Sequence, residues 1–195
     1  MAAQTRMTIL NTAKRLMALH GYEGLSMRIL ATECQTGLSS IYHFFSDKDA
    51  VLKELFEATN TRLGIIRAGL PVQNNASAML EQRIRFQFEH IEDVVFVLKY
   101  YLHFRPEFLR LDSGYIPSKA YLHIEEVLEF GVQNGEFSIP TDQTAPQSKV
   151  ITHAINGFLL EYYPDCPKGE ALDNVVQTIH AFLLRSLTNK EVSMT

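Results

Sequence analysis

Apolar residues in this 195-residue chain recur every three to four positions and almost nowhere every second one over strand length, so the chain reads as all-α. Ile9, Ala13, Leu16, Met17 and His20 share one face of a first helix, which Gly21 stops as glycine does just past a C-terminus. Ser26 can cap a short second helix, Met27 to Cys34, whose inner face carries Leu30, Ala31 and Cys34. Gln35 to Gly37 is a break, and Leu38 to Phe44 a third helix. Ser46-Asp47-Lys48-Asp49 has the shape of a capping box with Ser46 as the cap of a fourth helix. That helix has the stripe Val51, Leu52, Leu55, Phe56, Thr59, Leu63, Ile66 and spans 47–70.

The polar, turn-prone segment Pro71 to Ser77 is a joint. Beyond it the periodicity predicts helices at 77–91, 92–104, 117–134, 147–163 and 168–188. Breaks fall at Phe104-Arg-Pro-Glu and Leu111 to Pro117, loops at Gly135 to Pro146 and Tyr163 to Gly169, and a frayed end at Asn189 to Thr195.

Several function classes fall away on composition. The longest dense apolar run, Val94 to Phe104, is broken by Lys99 and is far shorter than the ~20 residues of a bilayer span. The first residues run straight into a helical pattern without the apolar core of a signal peptide, so no membrane association is expected and the expected location is cytoplasmic. Two cysteines, Cys34 and Cys166, make neither a disulfide framework nor a zinc cluster. His90, His103, His123, His153 and His180 lie on different helices without i, i+4 pairing, so no metal site is expected. There is no Gly-rich phosphate loop, no His-Glu metal motif and no Gly-x-Ser-x-Gly elbow, hence no catalytic residues, no cofactor and no enzyme. The formal net charge is −4, but residues 1–46 carry Arg6, Lys14, Arg15 and Arg28 against Glu23 and Glu33 (4 − 2 = +2). That patch permits nucleic-acid binding without diagnosing it.

Two short helices about three residues apart, behind a longer one, match a helix-turn-helix. The second short helix must protrude into a major groove ~12 Å wide, while the others brace it. Leu30, Ala31, Cys34, Ile41 and Phe45 supply the apolar underside. The outward positions of the third helix are then Ser39, Ser40, Tyr42 and His43. Small hydroxyls allow close approach to base edges, and the two rings can reach phosphates. Lys48, at a helix N-terminus that already favours anions, suits a DNA phosphate. Arg28 has two readings, a phosphate contact or an ion pair with Glu23 or Glu33.

These residues carry a resemblance. Gly21-Tyr-Glu-Gly-Leu-Ser-Met-Arg-Ile-Leu-Ala, Glu33, and Ser40-Ile-Tyr-His-Phe-Phe-Ser-Asp-Lys-Asp-Ala-Val-Leu52 resemble the N-terminal domain of the TetR family of bacterial transcriptional regulators over residues 5 to 55. Gly21, the Ser26 cap, Tyr42 with Phe45, and Lys48 with Asp49 meet the family pattern. Cys34 and Gln35 replace its usual small residue and glycine in the turn, Thr36 and Gly37 its apolar residue and serine cap, and Ser39 a glycine often found in the third helix. The resemblance implies a helix-turn-helix DNA-binding domain at 1–50 and a helical ligand-binding and dimerisation domain at 51–195, with the fourth helix linking them. The DNA-facing set is then Ser26, Met27, Arg28, Gly37, Leu38, Ser39, Ser40, Tyr42, His43 and Lys48. Cys34 reads as a buried small hydrophobe at the family's alanine position.

The resemblance also implies an effector cavity, for which Phe86, His90, Tyr100, Tyr101, Phe104, Phe130 and Phe158 are candidate lining residues. The last two helices are apolar on more than one face. The resemblance implies that they form a two-fold interface through Ile151, Ile155, Phe158, Leu159, Tyr162, Val175, Val176, Ile179, Phe182 and Leu183. The expected protein is a homodimeric repressor that binds a palindromic double-stranded operator. An effector of unknown identity, mostly apolar or aromatic, would release it by shifting the fourth helix. The competing readings are an activator of the same fold and a dimeric ligand-binding protein without DNA binding.

Overall fold

A computed structural model describes residues 2–110 and 120–188. The described residues form nine α-helices and no strand: α1 (Ala2–His20), α2 (Met27–Glu33), α3 (Leu38–Phe44), α4 (Lys48–Ala68), α5 (Ala76–Glu89), α6 (Ile91–Arg110), α7 (Ala120–Gln133), α8 (Thr144–Tyr162) and α9 (Glu170–Thr188). A 3-10 turn, Thr141–Gln143, precedes α8. No helix among the described residues is long and apolar enough to cross a membrane. The chain divides into two compact units, with crossings at Leu70–Pro71 and at Ile91–Glu92.

The first unit holds α1 to α4 and the body of α6. Ile9, Ala13 and Met17 of α1, Leu30 of α2, Ile41 of α3, and Val51 and Leu52 of α4 are fully buried in it. His20, predicted on the same face as Met17, is instead exposed at the last turn of α1. Gly21 adopts φ 71° and donates its N–H to the Met17 carbonyl at 2.9 Å, the left-handed stop predicted for it. α6 fastens this unit with polar groups. The buried Asp93 carboxylate accepts from Lys14 of α1 at 2.9 Å and from Arg62 of α4. Lys99 donates to the Ala18 and Leu19 carbonyls at the end of α1, at 2.5 and 3.3 Å. Burial holds the Lys99 ammonium below the usual lysine range. Tyr100 of α6 stacks on Phe56 of α4, ring centroids 4.1 Å apart.

The second unit is built around α5, which packs on α7, α8 and α9. Leu80, Ile84 and Phe88 of α5 meet a core that includes Val127 and Leu128 of α7, Ile155 and Leu159 of α8, and Val176 and Leu187 of α9. The first N–H groups of α5 are satisfied by the Glu136 carboxylate, which accepts from Ala76 N at 2.9 and 3.0 Å, and by Asn75, which accepts from Ala78 N at 2.7 Å. Gly131 lies so close to the Phe137 ring that a Cβ would stand 2.2 Å from it.

Three predicted boundaries shift. The cap of α4 is Asp47, whose carboxylate accepts from Ala50 N at 2.8 Å, while Ser46 Oγ donates to that carboxylate at 3.0 Å. These donors hold the Asp47 carboxyl below its ordinary range. The predicted break at Phe104-Arg-Pro-Glu is absent, because α6 runs through Pro106. Proline there removes one hydrogen bond to Leu102, which is 56% exposed, so water can solvate the freed carbonyl. α8 begins at Thr144 and contains Pro146 in its first turn, where the missing N–H costs little. The predicted break at Leu111 to Pro117 and the frayed Asn189 to Thr195 lie outside the described residues.

Candidate nucleic-acid interface

The helix-turn-helix is set by local chemistry at each joint. Ser26 is extended at φ −144° and its hydroxyl accepts from Ile29 N at 3.2 Å, the predicted cap of α2. α2 closes in a two-bond C-terminal motif: Thr36 N–H reaches the Ala31 carbonyl at 2.9 Å and Gln35 N–H the Thr32 carbonyl at 3.0 Å. The motif needs a left-handed residue between them. Gln35 supplies it at φ 51°, where glycine would be unstrained. Gly37 caps α3 from an extended conformation at φ −70°, so any residue could adopt its backbone. Cys34 is half-buried, with Sγ 3.9 Å from the Thr8 carbonyl, and so is less enclosed than predicted.

α3 buries Ile41 and is backed by the buried Phe45 just past its end. Ser39, Tyr42 and His43 are exposed, Tyr42 by 52%, and Ser40 and Leu38 are half-buried. Of the outward row read from the sequence, Ser39, Tyr42 and His43 face solvent and Ser40 is partly covered. Arg28 of α2 is exposed and, among the described residues, carries no ion pair; Glu33 pairs instead with Arg15 at 2.6 Å. Met27 is buried, 8% exposed, so its side chain packs inward and only its backbone N–H is offered at the α2 N-terminus.

Lys48 departs most from expectation. Its ammonium donates to the Tyr22 and Leu25 carbonyls, both at 3.2 Å, and lies 3.5 Å from the centre of the Tyr22 ring. It pins the start of α4 to the turn before α2. Tyr22 is the centre of this joint: its hydroxyl donates to Asp49 at 2.7 Å and its ring stacks on His103 of α6 at 3.6 Å. Burial, the Asp49 bond and the nearby acidic charges push the Tyr22 hydroxyl up to about 12. No periodicity argument finds Tyr22. The signal present in the sequence was the cation–acid pair Lys48-Asp49 at a helix start, which needs an aromatic or carbonyl partner when it turns inward.

Ion pairing also thins the basic patch. Arg6 pairs with Glu54, Lys14 with Asp93 and Arg15 with Glu33. Among the basic residues of 1–46 that leaves Arg28 unpaired.

The expected pocket residues are divided. Tyr100, Tyr101 and Phe104 lie in the first unit, where Tyr100 and Phe104 join the aromatic cluster of Phe56 and Tyr22. Phe86, His90, Phe130 and Phe158 lie in the second. There Phe86 is buried beside His90 at 4.8 Å, and Phe158 is exposed. An open depression of about 490 Å³ follows α4 past Glu54, Ala58, Arg62 and Ile66, and none of the expected residues borders it. The expected interface residues divide as well. Ile151, Ile155, Leu159, Val176, Ile179 and Leu183 are buried in the core of their own chain and offer a partner almost no surface. Tyr162 and Val175 are half-buried, while Phe158 and Phe182 are exposed by 39% and 65%.

Residues 9–55 match the family model described as bacterial regulatory proteins, tetR family. No curated protein matches the chain by sequence. Among solved structures, it is similar to the TetR family transcriptional regulator PfmR from Thermus thermophilus, with 24% identity over 91% of this chain and 97% of that one and a TM-score of 0.69. It is also similar to the fatty acid degradation regulator FadR from Bacillus halodurans, with 21% identity, 92% and 94% coverage and a TM-score of 0.69. A transcriptional regulator from Saccharomonospora viridis in complex with choline matches with 19% identity, 96% and 99% coverage and a TM-score of 0.69. At these identities the structural likeness shows a shared fold alone.

Proposed function

We propose that the chain, whose residues 9–55 match the TetR family model, is a cytoplasmic, homodimeric DNA-binding repressor of that family, whose α3 reads an operator and whose second unit takes a small-molecule effector. The observation that carries this reading is α3 itself. A seven-residue helix buries one side chain, Ile41, and turns Ser39, Tyr42 and His43 to solvent on a frame of α1, α2 and α4.

Ser39 and Ser40 approach base edges, Tyr42 and His43 reach the flanking backbone, and Arg28 with the N–H groups at the start of α2 binds a phosphate. Lys48 positions α3 through the Tyr22 joint rather than meeting the backbone as a free cation. With so few unpaired cations, affinity rests on hydrogen bonds and helix N-termini as much as on counterion release. The functional division stays at 1–50 and 51–195, although α4 and α6 pack with the first unit. The dimer forms through the outward face of α8 and α9, with Phe158 and Phe182 as its apolar anchors and Tyr162 and Val175 at its edge.

Effector control requires tighter binding to the form that does not hold DNA; equal affinity would shift nothing. The fatty acid regulator and the choline complex among the structural neighbours support an effector with an apolar body and one charged or polar end.

Selection of bound genomic fragments with the full chain tests the reading. The expected result is a palindromic site with half-sites ~34–36 Å apart or a multiple of that. Recovery of fragments with no shared sequence would contradict it.

A further inference from the structure

The second unit holds a cation that, among the described residues, has no carboxylate within ion-pair distance. Arg83 lies on α5 within that helix's inward arc and is itself half-buried. At about 100° per residue, the buried Leu80 and Ile84 fall to one side of it and the buried Phe86 to the other. α5 packs on α7, α8 and α9, so helical periodicity calls for an apolar side chain at this position. A guanidinium stands there instead, with Nε and Nη1 buried and without a hydrogen bond to any described residue.

Arginine cannot escape this by losing its proton. Buried donors of a charged group left unpaired are costly, and a hydrophobic side chain of similar volume would be more stable. The charge nearest in effect is Glu126 of α7, but its side chain is 62% exposed and sits beside His123 at 3.6 Å. Burial accordingly holds the Arg83 pKa below the usual guanidinium range, and Glu126 offsets this in part. Gln87 follows on the same face of α5 and His90 caps the end of that helix, both half-buried, and the His90 ring lies 4.8 Å from that of Phe86. One cation, one amide and one imidazole among aliphatic and aromatic side chains is the composition of a site for an amphipathic small molecule.

We propose that the effector is a monocarboxylate on an apolar body and that Arg83 holds its carboxylate inside the second unit. One guanidinium matches one negative charge, and Glu126 nearby disfavours a second. The inference rests on the reading that this unit takes an effector.

Calorimetric titration of the full-length protein with decanoate, decan-1-ol and decyltrimethylammonium tests it, in the wild type and in Arg83→Met. The wild type should bind decanoate at least tenfold more tightly than either analogue, and Arg83→Met should erase that preference. Without ligand, Arg83→Met should melt no lower than the wild type, because it removes a desolvated charge. No preference for decanoate, a preference that survives Arg83→Met, or a Tm loss of more than about 4 °C (the mark of a guanidinium already paired in the chain) would overturn the proposal. Operator binding measured on the same samples separates the two readings. Carboxylate preference without DNA binding would sink the regulator and keep the site. Intact DNA binding without carboxylate preference would do the reverse.

Discussion

α3 and the pair α8–α9 treat apolar side chains in opposite ways. α3 has seven residues, buries Ile41, and leaves Tyr42 and His43 in solvent. α8 and α9 have nineteen residues each and bury Ile151, Ile155, Leu159, Val176, Ile179 and Leu183 in their own chain, while Phe158 and Phe182 stay outside. A two-turn helix has room for one inward side chain, so its outward row follows directly. A long helix that is apolar all round has two candidate faces, and periodicity does not say which one the same chain covers.

The sharpest way to break this contrast is to truncate one residue from each face of the long pair. Leu159→Ala should destabilise the fold by about 2–5 kcal/mol. Phe182→Ser should leave a monomer's core within about 0.5 kcal/mol of the wild type and should weaken self-association. Urea unfolding at several protein concentrations, with sedimentation, separates the two effects. If Leu159→Ala acts only through the concentration dependence, the division into inner and outer faces is wrong.

Smaller effects are expected at the short helices, where caps and turns do the holding. Ser26→Ala should cost about 1 kcal/mol by leaving Ile29 N–H without its acceptor. Gln35→Gly should gain about 0.5–1 kcal/mol, since glycine relieves the left-handed backbone but loses more chain entropy on folding. Chemical denaturation reads both, and a loss at Gln35→Gly would mean that the Gln35 side chain supports the turn.

The smallest effect is a pH dependence. The Tyr22 hydroxyl is raised from 10.0 to about 12, so its protonated form is favoured in the fold. Its contribution is complete below pH 10 and is lost as pH rises toward 12. The difference in stability between wild type and Tyr22→Phe should shrink across that interval, and a constant difference would remove Tyr22 from the joint.

The parts of the fold legible in the sequence were those governed by a single residue's local chemistry. Gly21 stops α1, Ser26 caps α2, and Ile41 and Phe45 fix the inward side of α3. The parts that escaped depend on residues far apart in the chain. Lys48 reads as a phosphate ligand until the Tyr22 and Leu25 carbonyls accept its hydrogen bonds. Pro106 reads as a break because sequence does not show that the carbonyl it leaves free is at an exposed turn. Tyr100 and Phe86 both read as pocket lining, yet they lie in different units because the chain crosses between them at Ile91–Glu92. Arg83 was visible as a basic residue amid Leu80, Ile84 and Phe86, and only the packing of α5 shows that two of its guanidinium nitrogens are buried.

The central claim is that α3 reads DNA and is not simply an exposed turn of helix. Fluorescence anisotropy of the selected operator with wild type and Tyr42→Ala, at two salt concentrations, tests it most directly. Tyr42 is 52% exposed and lies outside the buried core, so its variant should keep its fold. The account predicts saturable wild-type binding that weakens with salt and a loss of at least tenfold in Tyr42→Ala, or about 1.4 kcal/mol. Equal affinity of the two proteins for the operator would contradict it.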